Sequence, residues 1–404
     1  MGGNDYDKAP YFEASANVIL STESLRPPLT GIGNYTFNLL QALILLSDAP
    51  QIKCFTGRKI ISSKAALEEV NLSNSNSRNI RAAFMPELRG WMRNLPAAYQ
   101  ALTIFKNFNF NHCLDKRLDY IYHDPGFILR PYDGPSVTTI HDLSFIVCPE
   151  TQPVSRVRHL VKEIPKTLKQ ADRIITPSYY VRDEVIRLLS VSPHRVIATP
   201  LGVSKLFHPR QDYECRNVLS QYGLKYKEYL LFVGTIEPRK NLDILLDAWL
   251  SLPSSMRKQL PLVIAGLPGW SHHKLMQRIN DLSFDGVTYL NYVATSDLPL
   301  LYAGAIAFIY PSLYEGFGLP VLEAMASGIP VICSTNTATV EFSSGSAFLV
   351  DADDVEAIRN AIIQITENRD ISVKMSKAGI LAASRYTWER CARETTDVYK
   401  SVRS

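Results

Sequence analysis

Short apolar runs alternate along the chain with segments that show helical periodicity. The runs are rich in apolar and β-branched residues and lack strict apolar–polar alternation. They lie at residues 17–22, 136–142, 172–178, 229–235, 261–266, 287–292, 305–310 and 329–334. Such runs are typical of strands in a parallel sheet that is covered on both faces. Helical patterns between them, as at 241–252 and 297–305, predict an α/β fold with right-handed crossovers.

The alternation of strands and helices restarts near residue 229, after a polar stretch at 202–229. We therefore predict two doubly wound, Rossmann-like domains, at 1–205 and 206–385. The last stretch, 386–404, has a helical apolar pattern and would dock on a domain surface. Doubly wound sheets bind ligands beyond the carboxyl ends of their strands, so two such domains that face each other would form a binding cleft.

The stretch YEGFGLPVLEAMASG, at 314–328, is not typical of a single helix, because Gly316, Gly318 and Pro320 oppose one. Proline is well suited to the first turn of a helix, where its missing N–H costs nothing. We therefore predict a helix that begins near Pro320 and ends at Gly328. The residues before it form a loop between a strand and a helix, at the carboxyl edge of a sheet.

Two carboxylates flank this loop. Glu315 lies at its start and Glu323 lies one turn into the helix, so both can face the same cleft. Backbone N–H groups at a helix N-terminus favour an anion, and glycines let a ligand approach the backbone closely. Carboxylates can also accept hydrogen bonds from sugar hydroxyls. The alternative is a tight turn with one solvated glutamate and one glutamate on the helix surface.

A second candidate site follows the apolar run at 229–235. Gly234 ends the strand, and Arg239 and Lys240 come just before a helix that Asn241 can cap. Arginine makes bidentate contacts and lysine supplies a point charge, so the pair is suited to a diphosphate. The alternative is a solvated loop with an ordinary helix cap.

Two further motifs belong to the first predicted domain. His141 and Asp142 follow a strand and would face the cleft, although a lone histidine at a strand end is often a hydrogen-bonded structural residue. Gly31 and Gly33 precede an amphipathic helix after the first strand. Their spacing is not G-x-G-x-x-G, so a nicotinamide cofactor is weakly supported.

Composition and charge exclude several classes of protein. The chain has 404 residues, 46% of them hydrophobic, and a net charge of +4, which is too modest for a dedicated nucleic-acid-binding protein. The six cysteines show neither C-x-x-C pairs nor metal-ligand spacing with histidine, so we expect a reduced, cytoplasmic protein. No apolar run approaches the roughly 18 residues needed to span a bilayer, and the N-terminus does not resemble a signal peptide.

A basic and aromatic segment at 78–117 could rest on an anionic bilayer, at the cytoplasmic face of the inner membrane. Arg89, Trp91 and Arg93 are its candidate contact residues. The alternative is an ordinary amphipathic helix that packs on the sheet and presents a solvated basic face.

Several motifs resemble the GT-B glycosyltransferases of family 4, the retaining enzymes that use nucleotide sugars. The matching pieces include TGIGNYT, TIHDLSF, GTIEPRKN and YEGFGLPVLEAM, and they run in order across nearly the whole chain. TGIGNYT and HDLSF are most similar to mannosyl- and rhamnosyltransferases that assemble cell-surface polysaccharides. The resemblance implies two Rossmann-like domains facing a cleft, with a C-terminal helix that crosses back to the N-terminal domain.

The resemblance also implies a role for each matching residue. Arg239 and Lys240 would bind the donor diphosphate, Glu323 the ribose hydroxyls and Glu315 the donor sugar, with His141 beside that sugar. Four of these, His141, Arg239, Lys240 and Glu315, form the implied catalytic set. The remaining implied donor-binding positions are Gly31, Gly33 and Gly234, then Tyr292 and Val293 near the base, and finally Gly316, Phe317, Gly318 and Leu319.

The implied reaction is transfer of mannose or a deoxymannose from a nucleoside-diphosphate sugar, GDP-mannose or GDP-rhamnose, to a lipid-linked polysaccharide, with retention of configuration. No cofactor or metal is expected. Asp124, in YHDPGF, stands where the family often has a small residue, and it joins His123 and Asp142 as an acceptor candidate. A UDP-sugar donor, an epimerase of the same fold and a catalytically silent binding subunit remain alternatives.

Overall fold

The computed structural model describes residues 16–26, 29, 31–75, 107, 110, 112–114, 119–271 and 273–403. The strands of the first sheet are β1 (Asn17–Ser21), β2 (Gln51–Phe55), β3 (Ile60–Ser62), β4 (Ile121–Asp124), β5 (Ser136–Thr139), β6 (Arg173–Thr176) and β7 (Val196–Ala198). Their order is β3-β2-β1-β4-β5-β6-β7, and every pairing is parallel except that of β2 with β3.

A second sheet follows in the chain. Its strands are β8 (Leu230–Val233), β9 (Leu262–Ala265), β10 (Val287–Asn291), β11 (Ala307–Tyr310), β12 (Val331–Ser334) and β13 (Phe348–Val350). They run parallel in the order β10-β9-β8-β11-β12-β13. The prediction of two doubly wound sheets is confirmed. Their assignment to domains that meet at 205/206 stays a prediction.

Helices cover the faces of both sheets. Those associated with the first sheet are α1 (Gly31–Ile44), α2 (Ser63–Ser75), α3 (Ser144–Val147), α4 (Val154–Gln170) and α5 (Tyr179–Leu188). Those that follow are α6 (Asp212–Gln221), α7 (Leu242–Leu250), α8 (Ser254–Gln259), α9 (His273–Asp281), α10 (Leu298–Gly304), α11 (Leu319–Ala326), α12 (Val340–Ser343), α13 (Val355–Glu367), α14 (Arg369–Ala383) and α15 (Trp388–Arg403). Short 3₁₀ turns occupy Pro149–Thr151, Pro193–Arg195, Pro238–Lys240 and Leu282–Asp285.

The central strands are buried on both faces, which explains their continuous apolar runs. In β1, Val18 and Leu20 belong to one hydrophobic cluster, whereas Ile19, which points to the opposite face, belongs to another. Every predicted strand is present, and none of its ends differs from the predicted end by more than three residues. Strands β2, β3, β4, β7 and β13 were not predicted from the pattern.

Helix α15 returns to the first sheet, as the family resemblance implied. It packs against α1 and β6. The hydroxyl of Tyr399 lies 2.7 Å from Nδ1 of His123 in β4, and Arg173 in β6 donates a hydrogen bond to the Ser401 carbonyl. The chain end is therefore held to the first sheet by buried polar contacts as well as by apolar packing. No helix within the described ranges has the length and apolarity that crossing a bilayer requires.

Candidate active site

Two loops meet at the carboxyl edge of the second sheet, because β8 and β11 are neighbouring parallel strands. One loop runs from Gly234 to Asn241 and the other, which we call the donor loop, runs from Pro311 to Gly318. The N–H of Leu313 donates to the carbonyl of Arg239 at 2.9 Å, and Nη1 of Arg239 donates to the carbonyl of Tyr314 at 2.7 Å. These bonds fix the two loops to each other.

A buried cluster of charges links the loops. Nζ of Lys240 lies 2.6 Å from Oε1 of Glu315, and Nη1 of Arg239 lies 3.1 Å from Oε2 of the same carboxylate. Arg239 also pairs with Glu237 at 2.8 Å, and Lys240 donates a 2.6 Å hydrogen bond to the hydroxyl of Tyr310. Glu315 is 6% exposed and Lys240 7%. Three of the predicted catalytic residues are thus in direct contact.

The cluster holds Glu315 in its charged form. Burial alone would raise the pKa of Glu315, but the neighbouring Arg239 and Lys240 lower it to about 2. Against the cost of burial, the carboxylates of Glu315 and Glu237 hold the pKa of Arg239 well above its ordinary value. The site therefore presents two cations that are paired with two carboxylates, Glu315 in contact with both cations and Glu237 in contact with Arg239.

Helix α11 begins next to this cluster. Gly318 occupies its N-cap position with a φ of 95°, a left-handed conformation that favours glycine, and Pro320 lies in the first turn, as predicted. Within the described part of the chain, no group accepts a hydrogen bond from the N–H of Gly316, Phe317 or Gly318. Backbone donors of this kind at a helix N-terminus are suited to bind an anion.

Glu323 lies one turn into α11, as predicted, and is partly buried. Burial raises the pKa of Glu323 to about 8. The carboxyl group is therefore mostly protonated at pH 7, in contrast to Glu315 eight residues earlier. A ligand that hydrogen-bonds to the ionised form would lower this pKa.

His141 faces the donor loop from the first sheet. A Cβ added to Gly316 would lie 1.9 Å from the carbonyl oxygen of His141, so the two loops are in close contact and only glycine fits. Nε2–H of His141 donates to the carbonyl of Pro125 at 2.7 Å, and the ring packs edge-on against Tyr35. Burial lowers the pKa of His141, so the imidazole is neutral at pH 7.

Three predictions about loop residues are corrected. Gly31 and Gly33 do not precede the helix, since α1 begins at Gly31. A Cβ on Gly33 would lie 2.8 Å from the carbonyl oxygen of Ser24, so packing within the chain requires this glycine. Asn241 occupies the cap position of α7 with a φ of 56°, but its side chain donates to the Ala352 carbonyl instead of capping the helix.

The predicted acceptor residues are largely committed to internal contacts. His123 is completely buried, with its ring nitrogens hydrogen-bonded to Tyr399 and Thr139, so its prediction as a contact for acceptor or membrane is wrong. Asp124 is 8% exposed, and its carboxylate accepts hydrogen bonds from the Tyr122 hydroxyl and the Gly126 N–H. It is therefore buried at the end of β4, within the first sheet.

Asp142 is partly exposed, and its Oδ1 accepts hydrogen bonds from the N–H and hydroxyl of Ser144 at the start of α3. It therefore fixes the turn that follows His141. Arg89, Trp91 and Arg93, and nearly all of 78–117, lie outside the described residues.

The other predicted donor-site positions surround the same sheet edge. The N–H of Gly234 donates to the Ala265 carbonyl, and a Cβ on Gly266 would lie 1.9 Å from the Gly234 carbonyl oxygen. Tyr292 and Val293 follow β10, the outermost strand, and Tyr292 is 41% exposed. Leu319 is the first residue of α11.

Two residues of the charge cluster were not predicted. Tyr310 ends β11 and its hydroxyl accepts from Lys240, while Glu237 precedes the Arg239–Lys240 pair and is 3% exposed. The sequence signal that could have identified Glu237 as part of the cluster is its place two positions before Arg239. In the described ranges, no three or more His, Cys, Asp or Glu side chains lie together in a way that could hold a metal ion.

Two doubly wound sheets, with charged loops at the carboxyl edge of one facing a histidine loop of the other, are the arrangement of the GT-B fold. The family descriptions "Glycosyltransferase Family 4" and "Glycosyl transferases group 1" match residues 29–205 and 220–381. The chain belongs to the GT-B glycosyltransferases of family 4.

Several known proteins are similar over nearly the whole chain. O-antigen chain mannosyltransferase B of Escherichia coli is 37% identical over 384 residues, which cover 95% of this chain and 99% of that protein. O-antigen chain mannosyltransferase RfbU of Salmonella typhimurium is 26% identical, with 87% and 92% covered. WaaG, a glycosyltransferase involved in lipopolysaccharide biosynthesis, has the same fold, with a TM-score of 0.69 at 15% identity, covering 94% of this chain and 99% of WaaG.

Proposed function

We propose that this glycosyltransferase transfers mannose from GDP-mannose to a hydroxyl of a growing O-antigen chain, with the anomeric configuration retained. The extensive similarity to O-antigen chain mannosyltransferase B supports mannose as the sugar and O-antigen as the product. GDP-rhamnose, which carries a deoxymannose, is the second donor that the motif resemblance implies. The proposal includes guanine as the base of the donor nucleotide and an acceptor chain that is linked to a lipid.

The observation that carries the proposal is the contact of Arg239 and Lys240 with Glu315 beside the open N-terminus of α11. A diphosphate bound there would receive hydrogen bonds from both cations and from backbone N–H groups. The arriving phosphates would draw Arg239 and Lys240 away from Glu315. The released carboxylate could then accept hydrogen bonds from hydroxyls of the donor sugar, which is the role that the family resemblance implies.

For the chemical step we propose same-face attack, the usual description of the family, and not a covalent intermediate. The bond between the anomeric carbon and the diphosphate oxygen breaks, and the acceptor oxygen attacks the same face of the sugar. The leaving diphosphate takes the proton of the acceptor hydroxyl. The two cations and the helix N-terminus stabilise the charge on the leaving group, because they are in place before the reaction begins. Neutral His141 would lie beside the sugar, with Nε2–H committed to the Pro125 carbonyl.

A peripheral contact with an anionic membrane would bring a lipid-linked acceptor to the site. Helix α4 supports this part of the proposal. Its exposed side chains include Val154 at 63% and Val161 at 55%. Arg156, Arg158, Lys162, Lys166 and Lys169 are its basic residues, against the single acid Glu163. Flotation with vesicles that contain anionic lipid tests the contact, and no binding at low salt would contradict it.

A UDP-sugar donor is the second candidate. HepE of Anabaena, crystallised with UDP and glucose, has the same fold, with a TM-score of 0.69 at 16% identity over 96% of this chain and all of HepE. This similarity concerns the fold alone. The charge cluster would bind the diphosphate of either nucleotide, so only the base and the sugar distinguish the two donors.

Transfer to a lipid-linked O-antigen fragment, measured with GDP-mannose, GDP-rhamnose and a UDP-hexose, tests the proposal. We expect an α-linked mannosyl product from GDP-α-mannose, identified by NMR of the anomeric proton and carbon. Arg239→Gln should abolish turnover. The matched control Arg216→Gln, whose surface side chain pairs with Asp212, should not. An inverted product, transfer from the UDP-sugar alone, or an active Arg239→Gln variant would contradict the proposal.

A further inference from the structure

Tyr314 reaches across the cleft from the donor loop to the first sheet. Its side chain is 2% exposed. Its hydroxyl accepts a hydrogen bond from the N–H of Leu143 at 2.9 Å and donates one to the carboxylate of Glu184 at 2.5 Å. Leu143 lies two residues after His141, and Glu184 belongs to α5. One hydroxyl therefore joins the loop that carries Glu315 to the loop that carries His141.

The pair of hydrogen bonds has a fixed direction. A phenol has one proton to donate, and Glu184, 6% exposed, accepts it. The oxygen lone pair then remains available for the Leu143 N–H. Without an acceptor at Glu184, the hydroxyl could rotate and leave that N–H without its partner. Glu184 therefore orients the hydroxyl that holds the histidine loop.

Further contacts dock the start of α5 onto the second sheet. The hydroxyl of Ser178, which caps α5, donates to the Gly316 carbonyl at 2.7 Å. The carboxylate of Glu341 accepts hydrogen bonds from the N–H groups of Tyr179 and Tyr180. Helix α5 is thus held at its N-terminus and, through Glu184, in its second turn. The donor loop cannot shift relative to α5 without breaking the bonds of Ser178 to Gly316 and of Glu184 to Tyr314.

The donor loop and the histidine loop have almost no free space between them. A Cβ atom added to Gly316 would lie only 1.9 Å from the His141 carbonyl oxygen. A displacement of about 1 Å at a reacting centre can reduce turnover about 100-fold. The relative position of Glu315 and His141 therefore depends on the bridge that Tyr314 makes.

We propose that Tyr314 is a positioning residue for sugar transfer, and that Glu184 acts through it. It holds the histidine loop in a fixed position relative to the donor loop. The inference rests on the proposed function, because it concerns the geometry of that reaction. Tyr314 is not expected to bind the nucleotide, since its hydroxyl is already hydrogen-bonded to Leu143 and Glu184.

The test compares Tyr314→Phe, Glu184→Leu and Glu184→Gln in steady-state kinetics and GDP titrations. Tyr314→Phe and Glu184→Leu should lower kcat about 10- to 100-fold while the Kd for GDP changes less than about twofold. Glu184→Gln keeps an oxygen that accepts a hydrogen bond from the Tyr314 hydroxyl. Unlike Glu184→Leu, this variant should therefore have a kcat within about threefold of wild type. Hydrogen exchange at the Leu143 amide should be faster in Tyr314→Phe.

Tyr180→Phe is the matched control, because this tyrosine lies in the same interface and its hydroxyl makes only a 3.4 Å contact with the Asn336 carbonyl. It should behave as wild type. An active Tyr314→Phe enzyme, a loss of GDP binding in step with kcat, or a Glu184→Gln variant as impaired as Glu184→Leu overturns the inference. A wild-type protein that binds GDP but transfers no sugar overturns the proposed function and this inference together.

Discussion

Replacing Glu315 by glutamine tests whether the ion pairs of this carboxylate with the two buried cations stabilise the fold. The amide has one acceptor oxygen, and its NH₂ group would face the other cation. In the wild type, the pKa of Glu315 is lowered from 4.5 to about 2 by Arg239 and Lys240, against the effect of burial. A difference of that size corresponds to about 3 kcal/mol of folding free energy. The measured cost of breaking a buried ion pair, about 3–5 kcal/mol, is similar.

The pH dependence of this contribution has a definite sign. Because the folded state lowers the pKa, the stabilisation is fully present above pH 4.5 and is lost as the pH falls through about 2. Urea unfolding should show Glu315→Gln to be less stable by about 3 kcal/mol at pH 7 and by roughly half of that at pH 3.

Glu228→Gln is the matched control for this measurement, because Glu228 makes an exposed ion pair with Lys225 at 3.5 Å. Its effect should stay below about 1 kcal/mol. A Glu315→Gln variant as stable as wild type at pH 7, or one whose deficit is the same at pH 7 and pH 3, would refute the reasoning.

Three further predictions concern other parts of the molecule. Gly316→Ala places a methyl group against the His141 carbonyl and should abolish sugar transfer, whereas Gly379→Ala, in a helix with ordinary contact distances, should leave it unchanged. The pKa of Glu323 is raised to about 8 by burial, so GDP affinity should increase from pH 6 to 8.5 if ribose hydroxyls bind the ionised form, and Glu323→Gln should remove that increase in titration calorimetry. Tyr399→Phe should destabilise the protein by about 1–3 kcal/mol in urea unfolding, since it removes the hydroxyl that bonds a buried histidine in β4.

The sequence pattern located the strands that form continuous apolar runs, as most strands buried on both faces do. It missed strands such as β4, IYHD, whose last two residues are polar. The partner of His123 is Tyr399, 276 residues away, so no local pattern could show that the histidine is buried and satisfied. The sequence therefore left it as a candidate contact for the acceptor or the membrane.

The candidate site was predictable where local rules determine the backbone. Pro320 and Gly318 indicated where α11 begins, and adjacent parallel strands brought Arg239, Lys240 and Glu315 to one sheet edge. The sequence did not show that the cations pair with Glu315, because that pairing depends on how two loops fold together. The bridge by Tyr314 was missed for the same reason, although this residue directly precedes the motif.

Calorimetric titration with GDP, UDP and ADP, without added metal, tests the central claim most directly. We expect selective GDP binding, weakened about 10- to 100-fold in Lys240→Ala because a charged hydrogen bond to the diphosphate is lost. Lys225→Ala, which changes a lysine side chain that is 78% exposed, should bind as wild type does. Binding of GDP that Lys240→Ala leaves unchanged, or no binding of any of the three nucleotides, would contradict the account.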